Sequence, residues 1–241
     1  MKHMSLFVLV HSPSVGPSTW QQVADQLRDA GHDAVVPSLL GVGENGPPYW
    51  PRVASAVRDG VSGRHESQQS AILVAHSNAG LFVPVIAKEL GRPVACSIFA
   101  DASIPPSSGS APVAEETFLP FLRDLADKDG RLPQWTSWWS EQDVAPMLPD
   151  PLTRQVITAE QPRLPLDYYL VHIPVPADWD DMPCAYLLFN EAYEGEAAEA
   201  DRRGWPVRTT RGEHLHQVVD PAAVTRALLE LAHAACRNSA G

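Results

Sequence analysis

The run Ser70-Ala71-Ile72-Leu73-Val74-Ala75-His76-Ser77-Asn78-Ala79-Gly80 changes character at a serine. Its first half is apolar and partly β-branched, the pattern of a strand buried in a parallel sheet. A helical pattern begins at Leu81, so the small-x-Ser-x-small segment between them has to turn sharply. Such a turn holds its serine in a strained backbone conformation and exposes the hydroxyl at the sheet edge. Ala75 and Ala79 keep the neighbours small where strand and helix pack closely. Ser77 is thus the first candidate for a nucleophile. A serine there also serves as an ordinary turn or helix cap, so the rest of the chain has to supply the partners that a nucleophile needs.

At 241 residues, 44% hydrophobic and 20% charged, the chain fits one large α/β domain with a sizeable core. The net charge of −11 argues against nucleic acid or an anionic membrane as partner. Cys96, Cys184 and Cys236 are widely spaced and form no CxxC, the usage of a reducing cytoplasm. Leu6 to Val10 is too short for a signal peptide or a membrane span. Met1-Lys2-His3-Met4 reads as a cloning remnant with the natural start at Met4.

Strands and helices alternate from the start. Strands are expected at Ser5–His11, Asp33–Pro37 and Ala95–Asp101, and helices at Ser18–Ala30, Tyr49–Val61 and Asn78–Leu90. Ser18 and Gln21 suggest a capping box, and Pro84 should kink or shorten its helix. The rhythm demands a mostly parallel sheet with helices on both faces. It breaks at Ser103. From there to Pro183 the chain is rich in Pro and Trp, with helices expected near Ala114–Lys128 and Asp150–Glu160. The core then resumes with Cys184–Phe189, a helix near Ala192–Arg203, the strand Pro206–Thr210 and a last helix, N-capped by Asp220 with Pro221 at its first position. The expected division is a core of 1–102 and 184–241, with 103–183 inserted after the strand ending at Asp101 as a cap. Phe118, Phe121, Trp135, Trp138 and Trp139 would roof an apolar pocket or pack the cap onto the core.

A serine hydroxyl needs a base to take its proton. The loop Arg211-Gly212-Glu213-His214-Leu215-His216-Gln217-Val218-Val219-Asp220-Pro221 offers two histidines after the last strand. Gly-x-His-x-x-x-x-x-x-Pro running into an amphipathic helix resembles the histidine loop of the plant methylesterase and hydroxynitrile lyase group of α/β-hydrolases. Phe7-Val8-Leu9-Val10-His11 followed by Trp20 is similar to the opening of the same group. The resemblance covers the core in element order but not the cap. It implies an α/β-hydrolase fold and makes His214 the base, with His216 behind it or on the pocket wall. A metal at His214 and His216 has no third ligand in the sequence, and neither metal nor cofactor is expected. In the methylesterase register the orienting acid falls at Ala192, with Glu191 one residue early. The other position known in the fold is the end of the preceding strand, where Asp101 stands. Asp101 is favoured, and Glu191 is the alternative.

The resemblance also implies two oxyanion donors. One is the backbone N–H of Asn78. The other falls at Pro13 in His11-Ser12-Pro13-Ser14, and proline has no N–H. A Ser12 or Ser14 hydroxyl substitutes, the backbone shifts register, or the reaction needs no full hole. The first expectation is a serine hydrolase cleaving an ester, thioester or lactone of a small to medium, largely apolar metabolite. The alternatives are a lyase or cyclase using Ser77 and His214 as an acid–base pair in secondary metabolism, and a ligand-binding receptor. A monomer or homodimer in the cytoplasm of a high-GC bacterium, with a small molecule as its only partner, completes the expectation.

Overall fold

Alternation inside the apolar runs builds a sheet covered on both faces. In β1 (Leu6–Val10), Leu6, Val8 and Val10 join one core cluster, and Phe7 and Leu9 join the other. The computed structural model describes residues 4–62 and 69–238, so the expected remnant at 1–3 lies outside the described residues. The chain continues through α1 (Ser18–Asp29), β2 (Asp33–Val35), α2 (Trp50–Val61), β3 (Ala71–Ser77), α3 (Val83–Glu89) and β4 (Val94–Ala102). An excursion follows with β5 (Gly109–Pro112), α4 (Leu119–Leu125), α5 (Glu141–Met147), α6 (Pro151–Glu160), α7 (Leu166–Leu170) and β6 (His172–Val175). The core closes with β7 (Cys184–Leu188), α8 (Glu194–Arg202), β8 (Val207–Thr209), α9 (His216–Val219) and α10 (Pro221–Asn238).

Six parallel strands lie in the order β2-β1-β3-β4-β7-β8. Trp20, Val23 and Leu27 of α1 and Val224 and Leu228 of α10 fill one face. Val53 and Val57 of α2 and Ile86 of α3 fill the other. Because β1 lies between β2 and β3, growth of the sheet reverses there, and the loops after β1 and β3 part at its carboxyl edge. Such a switch point is where ligands bind in open α/β sheets.

Several local expectations change. The helix expected from Asn78 to Leu90 is split into a 3-10 turn, Asn78–Phe82, and α3. Pro84 falls in the first turn of α3, where its missing N–H costs nothing. The Ser18–Gln21 capping box does not form. Instead the Ser18 N–H and Oγ–H donate to the Glu160 carboxylate, at 3.1 and 2.6 Å, so the cap comes from α6. At α10 the expected cap holds, with the Ala223 N–H donating to Asp220 Oδ1 at 2.9 Å. The excursion carries four helices and an antiparallel β5–β6 pair where two helices were expected. Ser140 and Asp143 make a capping box for the overlooked α5.

The 3-10 turn presses against the end of β4. A Cβ added at Gly80 would lie 2.2 Å from the Ser103 carbonyl oxygen and 3.1 Å from Ala102 Cβ. Backbone oxygen cannot yield as a flexible side chain does. Gly80→Ala is therefore expected to destabilise the fold by about 2 kcal/mol, lowering the melting temperature by about 5 °C. A melting temperature matching that of the unaltered protein would show that the turn has room there.

Candidate active site

The geometry begins with two residues whose backbone is strained. Ser77 closes β3 at φ 59° and ψ −132°, and Asp101 lies near the end of β4 at φ 45°. Both are left-handed values that residues with a Cβ rarely adopt. The strand register slips between them: His76 pairs with Ala100, but Ser77 pairs with Ala102. Asp101 is the extra residue of a bulge, a device that re-aims a side chain at a sheet edge. Its carboxylate is fully buried. Oδ1 accepts from the backbone N–H groups of Phe189, at 2.8 Å, and Asn190, at 3.3 Å. Oδ2 accepts from His214 Nδ1–H at 2.8 Å.

With Nδ1 donating to Asp101, Nε2 of His214 is left as an acceptor, and it takes the Ser77 hydroxyl at 3.0 Å. Ser77, His214 and Asp101, separated widely in sequence, therefore meet in one hydrogen-bonded line. Glu191 stands in the 3-10 turn Glu191–Tyr193 and faces the cleft. The acid against His214 is Asp101. His216 does not reach the cleft wall: it is buried, edge-on to Phe189 at 5.7 Å, and packed so close under Gly212 that a Cβ there would lie 2.0 Å from its Nδ1.

Residues around this line hold it in place. His76 Nε2–H donates to the His214 carbonyl at 2.8 Å, and the two rings lie 4.6 Å apart. Burial and the neighbouring His214 hold His76 well below the usual histidine range, so it stays neutral. The Asn78 side chain donates to the Val113 carbonyl at 2.8 Å and accepts from the Tyr168 hydroxyl at 2.6 Å. Both partners belong to the excursion, and they fix the residue that follows Ser77. Ser12 and Ser14 line the cleft beside Ser77 and Asn78, while Pro13 is buried and does not line it. The Ser14 N–H donates to Ser12 Oγ at 3.3 Å, and Ser14 Oγ shares a hydrogen bond of 2.7 Å with the Tyr169 hydroxyl.

The cleft has a volume of about 1150 Å3. Phe118, Trp135, Trp138 and Trp139 line it, whereas Phe121 packs behind them against Phe118 and Trp139. Four tyrosines escaped the sequence reading: Tyr168 and Tyr169 from the excursion, Tyr186 and Tyr193 from the core. Tyr186 ties β7 to the bulge, its hydroxyl donating to the Ala102 carbonyl at 3.0 Å and accepting from the Ala102 N–H at 3.1 Å. Tyr193 did carry a signal, since it directly follows Ala192, where the methylesterase register expects an acid and finds none.

The family model described as the alpha/beta hydrolase family matches residues 7–236. The chain belongs to that family. A carbendazim hydrolyzing esterase from Nocardioides sp. (strain SG-4G) is 31% identical over 106 residues, 42% of this chain. The match spans only 43% of that relative's length. Among solved structures, an extracellular α/β-hydrolase from a Paenibacillus species, described as homologous to tobacco salicylic acid binding protein 2, superposes with a TM-score of 0.72. It shares 16% identity, covering 94% of this chain and 98% of that one. A methylesterase from Arabidopsis follows at a TM-score of 0.66, also 16% identical, covering 94% and 98%. At that identity the likeness shows the fold, and the plant methylesterases are among its neighbours. Among the described residues of this α/β-hydrolase no helix is long and apolar enough to cross a membrane, and no cluster of His, Cys, Asp or Glu could hold a metal ion.

The loop after β1 carries a pH liability. His11 is fully buried, donating from Nδ1 to the Ser12 carbonyl at 2.8 Å and accepting the Leu39 N–H at Nε2, 3.0 Å away. Burial lowers its pKa to about 4, against an ordinary 6.5. Between those values the unfolded chain takes up a proton that the folded chain refuses. Stability is therefore complete above pH 6.5 and falls as pH drops toward 4, by on the order of 3 kcal/mol from this residue. Urea midpoints measured from pH 7 to 4.5 should decline, and decline less in His11→Gln. A flat profile in the unaltered protein would count against a neutral, buried His11.

Proposed function

We propose that this α/β-hydrolase is a serine-dependent esterase-type enzyme, cleaving an ester, thioester or lactone of a small to medium, largely apolar molecule. The observation that carries the reading is the Ser77–His214–Asp101 line, at 3.0 and 2.8 Å, with Ser77 held at positive φ. Ser77 Oγ attacks the acyl carbon while His214 Nε2 accepts its proton. Asp101 keeps Nδ1 protonated and stabilises the imidazolium that forms. The imidazolium then protonates the leaving oxygen as the acyl bond breaks, and water repeats the sequence in reverse to free Ser77.

Negative charge on the carbonyl oxygen needs preorganised donors. Asn78 N–H is one, oriented by the grip of Tyr168 and Val113 on its side chain. With Pro13 unable to donate, the Ser12 or Ser14 hydroxyl takes the second place. Residues 103–183 act as a cap whose aromatic side chains receive the apolar part of the substrate. The partial match to a carbendazim hydrolyzing esterase supports an esterase.

Pro13 also favours a second reading. Without a full oxyanion hole, Ser77 and His214 could serve as the acid–base pair of a lyase or cyclase. The two readings part on simple esters. The hydrolase should turn over p-nitrophenyl esters and be labelled by a fluorophosphonate at Ser77. Ser77→Ala should abolish both, and Asp101→Asn should lower kcat by about 10^3–10^4-fold by favouring the wrong imidazole tautomer. No labelling of the folded protein, or ester turnover surviving Ser77→Ala, would sink the esterase reading.

A further inference from the structure

Resting on that esterase reading, we propose that Tyr193 is a further catalytic residue, its hydroxyl hydrogen-bonding the leaving-group oxygen as Ser77 is acylated. Tyr193 ends the 3-10 turn that follows β7. Its ring lies parallel to that of His214, centroids 5.0 Å apart at an interplanar angle of 0°. This stacking brings the phenol hydroxyl alongside the imidazole, 3.4 Å from Ser77 Oγ. The hydroxyls of Tyr168 and Tyr169 are bonded instead to Asn78 and Ser14.

The direction of the contact follows from the proton count. Asp101 takes the Nδ1–H of His214, so Nε2 takes the proton of Ser77. Ser77 Oγ is then left only with acceptor capacity, and the phenol must donate to it. Burial pushes the Tyr193 pKa up to about 12, so the group stays protonated across the neutral range. It is a donor and not a base. A length of 3.4 Å is long for a hydroxyl pair, as catalytic hydrogen bonds often are before substrate arrives.

Acylation changes which oxygen this donor prefers. Once Oγ is bonded to the acyl carbon it becomes an ester oxygen, a poor acceptor. Meanwhile the C–O bond to the leaving group lengthens and its oxygen gathers charge. That oxygen must sit beside His214 Nε2 to receive the proton, and the stacked phenol reaches the same place. His214 supplies the proton that is transferred. Tyr193 keeps its own and contributes a hydrogen bond that strengthens as the bond breaks. In deacylation the incoming water occupies the same position and meets the same donor.

A purely structural Tyr193 would affect all substrates alike, so the test is leaving-group dependence. kcat/KM is measured for the methyl and p-nitrophenyl esters of one acid, in the unaltered protein and in Tyr193→Phe, which keeps the stacked ring. p-Nitrophenolate departs without help, whereas methoxide needs it. The methyl-to-p-nitrophenyl ratio should therefore fall about tenfold, the scale of one neutral hydrogen bond. A ratio within about twofold of the original would overturn the proposal. Should Tyr193→Phe lose its circular dichroism, 3-fluorotyrosine placed only at position 193 provides a more acidic donor. The ratio should then rise, and an unchanged ratio would overturn the proposal. Ser77→Ala, run alongside, separates the two failures: turnover that survives it defeats the esterase reading itself.

Discussion

The constraint on which the rest of the site depends is the register slip between β3 and β4. One extra residue in β4 leaves Asp101 unpaired with β3, at positive φ, with a carboxylate wholly out of water. A buried carboxylate is costly unless hydrogen bonds replace its solvation. Asp101 collects them from three places: two backbone N–H groups at the end of β7 and the imidazole of His214. Those bonds fix where β7 ends and where the loop after β8 must return. The strain at Ser77 is held by the same stretch, since the Ser103 N–H donates to the Ser77 carbonyl at 3.2 Å. Neither strained residue would persist without the other side of the slip.

What the sequence could reveal follows from how local each feature is. The strand, Ser77 and the turn after it are contiguous, and small residues at 75 and 79 mark the close packing. The loop from Arg211 to Pro221 carries its histidine, its cap and its helix start in eleven consecutive residues. Asp101 was legible as an acid at a strand end, but the slip that aims it is a property of two strands and leaves no mark in either. The tyrosines were missed for a related reason. Tyr168 meets Asn78 across ninety positions, and Tyr193 meets Ser77 across 116. β5 and β6 were missed because each is four residues long and contains proline, which reads as a strand breaker.

The surroundings of His214 are largely aromatic. Tyr193 stacks on one ring face, His76 lies 4.6 Å away, and Trp135 lies 6.1 Å away at a tilt. Such a shell leaves the imidazole only 15% exposed, which strengthens the polar contacts it makes. The tyrosines add hydroxyls without adding charge: burial raises the pKa of Tyr168, Tyr169, Tyr186 and Tyr193 alike. Around Ser77 and His214 the cleft thus presents the neutral hydroxyls of Tyr169 and Tyr193, with the Asp101 carboxylate buried behind His214 and carboxylates such as Glu191 and Glu196 farther along its wall.

Glu160 links two parts of the molecule that sequence order keeps far apart. It ends α6 in the excursion, yet its carboxylate closes the start of α1, so tightly that a Cβ at Gly16 would strike it at 2.2 Å. The loop between β1 and α1 carries Ser12 and Ser14, so the excursion and that loop share an anchor. Exchange of residues 103–183 for the equivalent segment of another family member is therefore not a modular operation. A graft that lacks a carboxylate at this point would leave the first turn of α1 uncapped and the serine loop free to drift. Natural variation at positions 16, 18 and 160 should move together, as one inherited unit rather than three.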